Sequence, residues 1–221
     1  MNEMSHSLSA IERHSRTEEI ANAVTHGIGA ALAIAALSIL VTFSALQGDP
    51  WKVVSFSIYG SMLVFLYLAS TLYHALVPPK AKKVFQILDH SAIYLTIAGT
   101  YTPFMLVTLR GAWGWSLFGV TWGLAAVGIA LTAVFMDKLK LPAVLTYVGM
   151  GWMVVVALKP LAEGLTMGGL FWLFAGGLSY TIGIVFYAWK RFPYHHAIWH
   201  LFVLGGSIAH FFAMLLYVLP S

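Results

Sequence analysis

Seven runs of about 20 mostly apolar residues, each bounded by charge, Pro or Gly, constrain this chain more than any other feature, because a helix of that length crosses the hydrocarbon of a bilayer. They extend from Ile20 to Leu46, Val53 to Leu76, Val84 to Leu109, Trp113 to Met136, Leu141 to Leu158, Leu170 to Ala188 and Tyr194 to Leu219. Backbone N–H and C=O groups in lipid must be satisfied within the segment, so runs of this kind joined by short connections specify an all-α integral membrane protein, a bundle of seven transmembrane helices. Composition agrees. The 221 residues are 60% hydrophobic and 9% charged, where a soluble domain carries about a quarter charged residues. That excludes a soluble globular fold, a disordered chain and a nucleic-acid-binding protein. One membrane domain, residues 19–221, is expected behind a polar segment, residues 1–18. The first run is too long for the apolar core of a signal peptide and lacks an A-x-A site, so it is expected to stay in the mature protein.

Lys and Arg in short loops are retained on the cytoplasmic side. Of the 12 Lys and Arg, nine (Arg13, Arg16, Lys80, Lys82, Lys83, Lys138, Lys140, Lys190, Arg191) fall on one side of the predicted spans and three (Lys52, Arg110, Lys159) on the other. The N-terminus is therefore expected in the cytoplasm and the C-terminus outside. Trp51, Trp113, Trp115 and Trp189 lie near helix ends, where an interfacial belt is expected. Gly119-xxx-Gly123 permits close helix approach, and Pro103 should kink the third span. No internal repeat is visible. The absence of cysteine removes disulfides and thiolate ligands, so any metal must be held by His, carboxylate or water.

Ionisable side chains inside hydrocarbon are costly and therefore informative. Glu18, Glu19 and His26 fall on helix 1, His74 at the end of helix 2, Asp89 and His90 near the start of helix 3, and His195, His196, His200 and His210 on helix 7. With the orientation above, all but His210 share one depth. His196 and His200, at i and i+4, occupy one helix face, as two ligands of a single ion would. His74 has the depth of a third ligand. A three-histidine set with water in the fourth position is the open, catalytic type of zinc site. Asp89 either pairs with Lys82 or Lys83 at the interface or handles the proton of the metal's water; Ser70, one turn before His74, either bonds its own helix or faces the site. Glu19, Asn22 and His26 fall on one side of helix 1, a stripe that either lines the site or locks helix 1 to its neighbours. As a base Glu19 ranks behind Asp89, because at the very start of helix 1 it reads as solvated; His90 and His195 read as ordinary buried or interfacial histidines, and His210 as a buried hydrogen-bonded histidine or part of a separate polar path. His6 and His14 belong to the polar N-terminal segment.

Glu19-x-x-Asn22-x-x-x-His26-Gly27, Ser70-Thr71-Leu72-Tyr73-His74, Leu88-Asp89-His90-Ser91-Ala92-Ile93-Tyr94 with Gly99-Thr100-Tyr101-Thr102-Pro103, and His196-Ala197-Ile198-Trp199-His200 resemble the bacterial hemolysin III family, the prokaryotic branch of the progestin and adipoQ receptors. The resemblance covers nearly the whole chain from Glu18. It implies a multi-pass protein of the bacterial inner (plasma) membrane with a cytoplasm-side Zn2+ held by His74, His196 and His200, and with Ser70 and Asp89 beside the metal. For activity it implies less. Animal relatives are receptors, some with proposed ceramidase activity, and the bacterial branch is linked to haemolysis and membrane-lipid homeostasis. Three functions stay open: a zinc-dependent hydrolase of lipid amides or esters, with Asp89 and Ser70 as catalytic candidates and a membrane lipid or fatty acid among the helices; a receptor-like or signalling module with structural zinc; and a pore. Oligomeric state is not legible.

Overall fold

Capping chemistry sets where the first helices begin. The Ser15 hydroxyl accepts the Glu18 backbone N–H at 3.3 Å while the Glu18 carboxylate accepts the Ser15 N–H at 2.8 Å, a reciprocal capping box that starts α1 (Arg16–Gln47). Gly48, at φ 71°, ends it in the left-handed conformation that glycine adopts without penalty. Asp49 then caps α2 (Pro50–Ala75), with Pro50 at the first helical position, where a missing N–H is harmless. The computed structural model describes residues 15–136 and 138–221. His6, His14, Arg13 and most of the polar N-terminal segment lie outside the described residues.

The remaining spans are α3 (Pro79–Pro103), α4 (Gly111–Phe135), α5 (Lys140–Gly151, a 3-10 stretch Met153–Ala157, then Leu158–Gly164), α6 (Met167–Ala188) and α7 (His195–Ala213). No strand occurs among the described residues, and seven helical segments are long and apolar enough to cross a membrane. Burial is inverted relative to a soluble protein. Val134 and Phe171 are 70% and 65% exposed, whereas Asn22, Ser55, Thr102 and Thr121 are fully buried. Apolar side chains on the outside are stable only against lipid, and polar ones inside must find partners within the bundle. Trp51, Trp113, Trp115 and Trp189 are half-exposed at helix ends, as an interfacial belt requires.

Several expected boundaries shift. The third span begins at Pro79, so Lys80, Lys82 and Lys83 stand in its first turns instead of a loop; Pro at the first position and long side chains that extend toward water both favour this. The fifth continues past Leu158 to Gly164, with a break of helix type between its halves. Pro103 does perturb α3. Beyond it the chain widens into a π-helical turn, Phe104–Leu109, closed by the Arg110 N–H donating to the Met105 carbonyl at 3.0 Å. Gly119 and Gly123 are not packing positions within the chain, because a Cβ on either would meet nothing within 4 Å. The close approach is elsewhere, at Gly60 on α2, where a Cβ would stand 2.6 Å from Leu37 Cδ1 and 3.0 Å from Leu37 Cα on α1. Helix α1 packs against both α2 and α7, which places the end of α2 beside the start of α7.

Candidate metal centre

His74, in the last turn of α2, meets His196 and His200, in the first two turns of α7. One nitrogen from each lies within 4.8 Å of the others, close enough for one ion to collect all three with small side-chain movements. The ring centroids are 5.1 Å apart for His74 and His196, 5.2 Å for His74 and His200, and 4.6 Å for His196 and His200. All three side chains are buried. Helix α7 starts from Tyr194, which holds the left-handed conformation at φ 59° and donates its N–H to the Glu18 carboxylate at 2.9 Å. Helix α1 therefore pins the start of the helix that carries two of the histidines.

Helix α1 also sets which nitrogen of His74 and of His200 is available. His74 Nδ1 lies 2.7 Å from Glu19 Oε2, and His200 Nδ1 lies 3.2 Å from the Asn22 carbonyl and 3.1 Å from Thr25 Oγ1. A carboxylate and a carbonyl only accept, so each Nδ1 carries the proton and the lone pair of the neutral ring is on Nε2. Acceptors behind metal-binding histidines fix ring orientation in this manner. The donor set, neutral imidazoles without thiolate, suits zinc or another borderline divalent cation. Glu19 is thus a participant and not the solvated residue that its position suggested. Its other oxygen accepts from Lys82 Nζ at 3.0 Å, and the same ammonium donates to the Tyr73 carbonyl at 3.0 Å. Lys82 is therefore not the partner of Asp89.

Asp89, Ser70, His196 and His200 line one cavity of about 160 Å³. The Ser70 hydroxyl makes no bond to its own helix and lies beside the Asp89 carboxylate. His26 stacks on His200 with centroids 3.5 Å apart and planes 12° from parallel, and Asn22 holds His200 through its carbonyl, so this stripe of α1 both lines the site and fastens helices. His90 bonds the Gln86 carbonyl at 2.9 Å yet reaches the cavity wall; His195 lies 3.3 Å from the Phe186 carbonyl and not on that wall. His210 is at the opposite end of the cavity. Sequence reasoning placed Glu19 on the right face of helix 1 but read its carboxylate as solvated, and it offered Lys82 only as a partner of Asp89. The signal available for Glu19 was its spacing of three from Asn22 and seven from His26, which puts all three on one face of α1.

Fold and site together define a helical multi-pass membrane protein whose buried three-histidine group could hold a metal ion at one end of an internal cavity. A family model described as "Haemolysin-III related" matches residues 14–211, and the chain belongs to that family. It is 53% identical over 204 residues to Hemolysin-3 of Bacillus cereus, covering 92% of this chain and 93% of the relative, and 50% identical over 200 residues to the Hemolysin-3 homolog of Bacillus subtilis (strain 168), covering 90% and 94%. A more distant similarity, 29% over 226 residues covering 99% and 92%, is to the human monocyte to macrophage differentiation factor, a member of the progestin and adipoQ receptor family. The protein is a multi-pass protein of the bacterial plasma membrane.

Proposed function

We propose that the protein is a zinc-dependent hydrolase of lipid amide or ester bonds, with His74, His196 and His200 as the metal ligands. The observation that carries this reading is the opening of the histidine cluster onto a largely apolar cavity that Asp89 and Ser70 also line. Bound there, zinc supplies a Lewis acid for a carbonyl oxygen and lowers the pKa of a coordinated water to about 7. The protein's own groups do the rest. Asp89 takes the proton of the attacking water at a carboxylate oxygen and returns it to the leaving amine or alcohol as the C–N or C–O bond breaks. Ser70 orients that carboxylate. Leu66, Ile93, Ile97 and Val203 accept the acyl chain and keep bulk water out. Membrane-lipid homeostasis is the corresponding role.

The second reading, a receptor-like module with a structural metal, is favoured by one feature. The cluster joins α2 to α7, and both pack on α1, so an ion there would fasten those two helices around α1. Purified protein separates the two. For the hydrolase, elemental analysis should find one zinc per chain, and turnover should appear on ceramide-like or ester lipids. Asp89→Asn should then keep the metal and lose about 10²-fold or more of that turnover, the scale of a general base. Zinc-replete protein inert toward all these lipids would leave the structural reading standing.

A further inference from the structure

The cavity has a second polar end, remote from the histidine cluster. Its wall reaches from His200 to His210, ten residues further along α7, or about 15 Å at 1.5 Å per residue. The wall between them includes Leu66, Ile97, Phe104, Leu173 and Val203. His210 Nε2 lies 3.2 Å from the Leu173 carbonyl. A carbonyl only accepts, so Nε2 holds the ring proton and Nδ1 of the neutral ring presents a lone pair. That Nδ1 is buried and has no hydrogen-bond partner among the described residues.

Hydroxyls lie nearby. Ser207 Oγ lies 3.1 Å from the Val203 carbonyl, accepts from Tyr67 at 2.8 Å and shares a 2.9 Å hydrogen bond with Tyr180 in which either hydroxyl can donate. Tyr180 lines the cavity, and when it donates to Ser207 its Oη has only lone pairs left to offer. The ring of Tyr180 lies 5.6 Å from that of His210. Glycines make room for both rings: a Cβ on Gly176 would stand 2.5 Å from His210 Nε2, and one on Gly206 would stand 2.8 Å from Tyr180 Cε1. This end is therefore an acceptor set into an apolar wall.

We infer that the His210 end is a subsite for a hydrogen-bond donor, a hydroxyl or an amide N–H carried on the tail of a lipid whose polar head lies at the histidine cluster. The inference rests on reading the cavity as a lipid site. A plain acyl chain would leave Nδ1 without a donor, and a carbonyl or ether would set lone pair against lone pair.

Three probes decide it with the protein in lipid nanodiscs and empty nanodiscs as the partition reference: dodecanoic acid, its ω-hydroxy derivative and its ω-methoxy derivative. The hydroxy acid should bind about fivefold tighter than the parent acid, the scale of one net hydrogen bond, and the methoxy acid no tighter than the parent. His210→Phe should bind the parent acid as before and lose the preference for the hydroxyl; Tyr180→Phe should reduce it. Equal affinity of the hydroxy and methoxy acids for the unmodified protein overturns the subsite without need of any variant, as does a preference that survives His210→Phe. Binding of the parent acid with no gain from the hydroxyl removes the subsite alone. Binding of none of the three removes the lipid reading of the cavity and the subsite with it.

Discussion

His74 and Glu19 show what one residue contributes to another's chemistry. An imidazole binds metal through whichever nitrogen is unprotonated, and the Glu19 carboxylate 2.7 Å from His74 Nδ1 settles which one that is. Glu19→Ala should therefore weaken metal retention about 10- to 100-fold in competition with a chelator, although Glu19 need not touch the ion. Glu19→Gln, whose amide oxygen still accepts the Nδ1 proton, should recover part of that loss. Unchanged retention in Glu19→Ala would remove the orienting role. His210→Ala, at the far end of the cavity, should leave the metal in place. The histidines were legible because residue type, an i,i+4 spacing and a shared depth are properties of sequence. The role of Glu19 was not, because its partners His74 and Lys82 belong to α2 and α3, and only the packing of three helices reveals that its carboxylate turns inward. Ser70 was ambiguous for the same reason: whether a hydroxyl bonds its own helix depends on what faces it.

At the scale of the element, helix positions followed from the length of apolar runs, whereas helix contacts did not. The Gly119-xxx-Gly123 spacing suggested close approach, but those glycines face nothing within the chain, whereas Gly60 meets Leu37 on α1 down to its backbone. A glycine pattern reports only that a helix has a bare stripe; which stripe is covered depends on how the helix is rotated in the bundle. Gly60→Val should drive its Cβ into the backbone of α1, costing about 1–3 kcal/mol as overpacking does and lowering the thermal midpoint in detergent. Because α1 carries Glu19 and Asn22, the same change should loosen the metal. Gly119→Val, with open space around it, should leave the midpoint unchanged. A larger loss at Gly119 than at Gly60 would show that α4 packs against a neighbour that this chain does not supply. The ends of α3 and α5 shifted for a related reason: lysines and a 3-10 turn continue a helix when the adjoining segments hold it, and periodicity alone cannot show that.

For the whole molecule, the bilayer makes the architecture legible, since its thickness fixes span length and its charge asymmetry fixes orientation. The cavity has no such external ruler and emerges only from the assembled helices. The fold adds one detail to the charge count. Of the three cations on the sparse side, Lys52 is buried and donates to the Leu219 carbonyl at 2.8 Å and to Gln47 Oε1 at 3.1 Å, fastening the start of α2 to the end of α1 and to the chain beyond α7. On the rich side Lys82 is tied to Glu19, but Lys80, Lys83, Lys190 and Arg191 flank the same helix ends. A topology reporter fused after Ser221 should therefore read as external, and one inserted between Leu76 and Pro79 as cytoplasmic. Lys82→Ala should not invert this pattern, because the bias is a sum over many cations; it should act on the Glu19–His74 pair instead. The opposite reporter pattern would place the histidine cluster at the outer face and overturn the orientation read from the charge count.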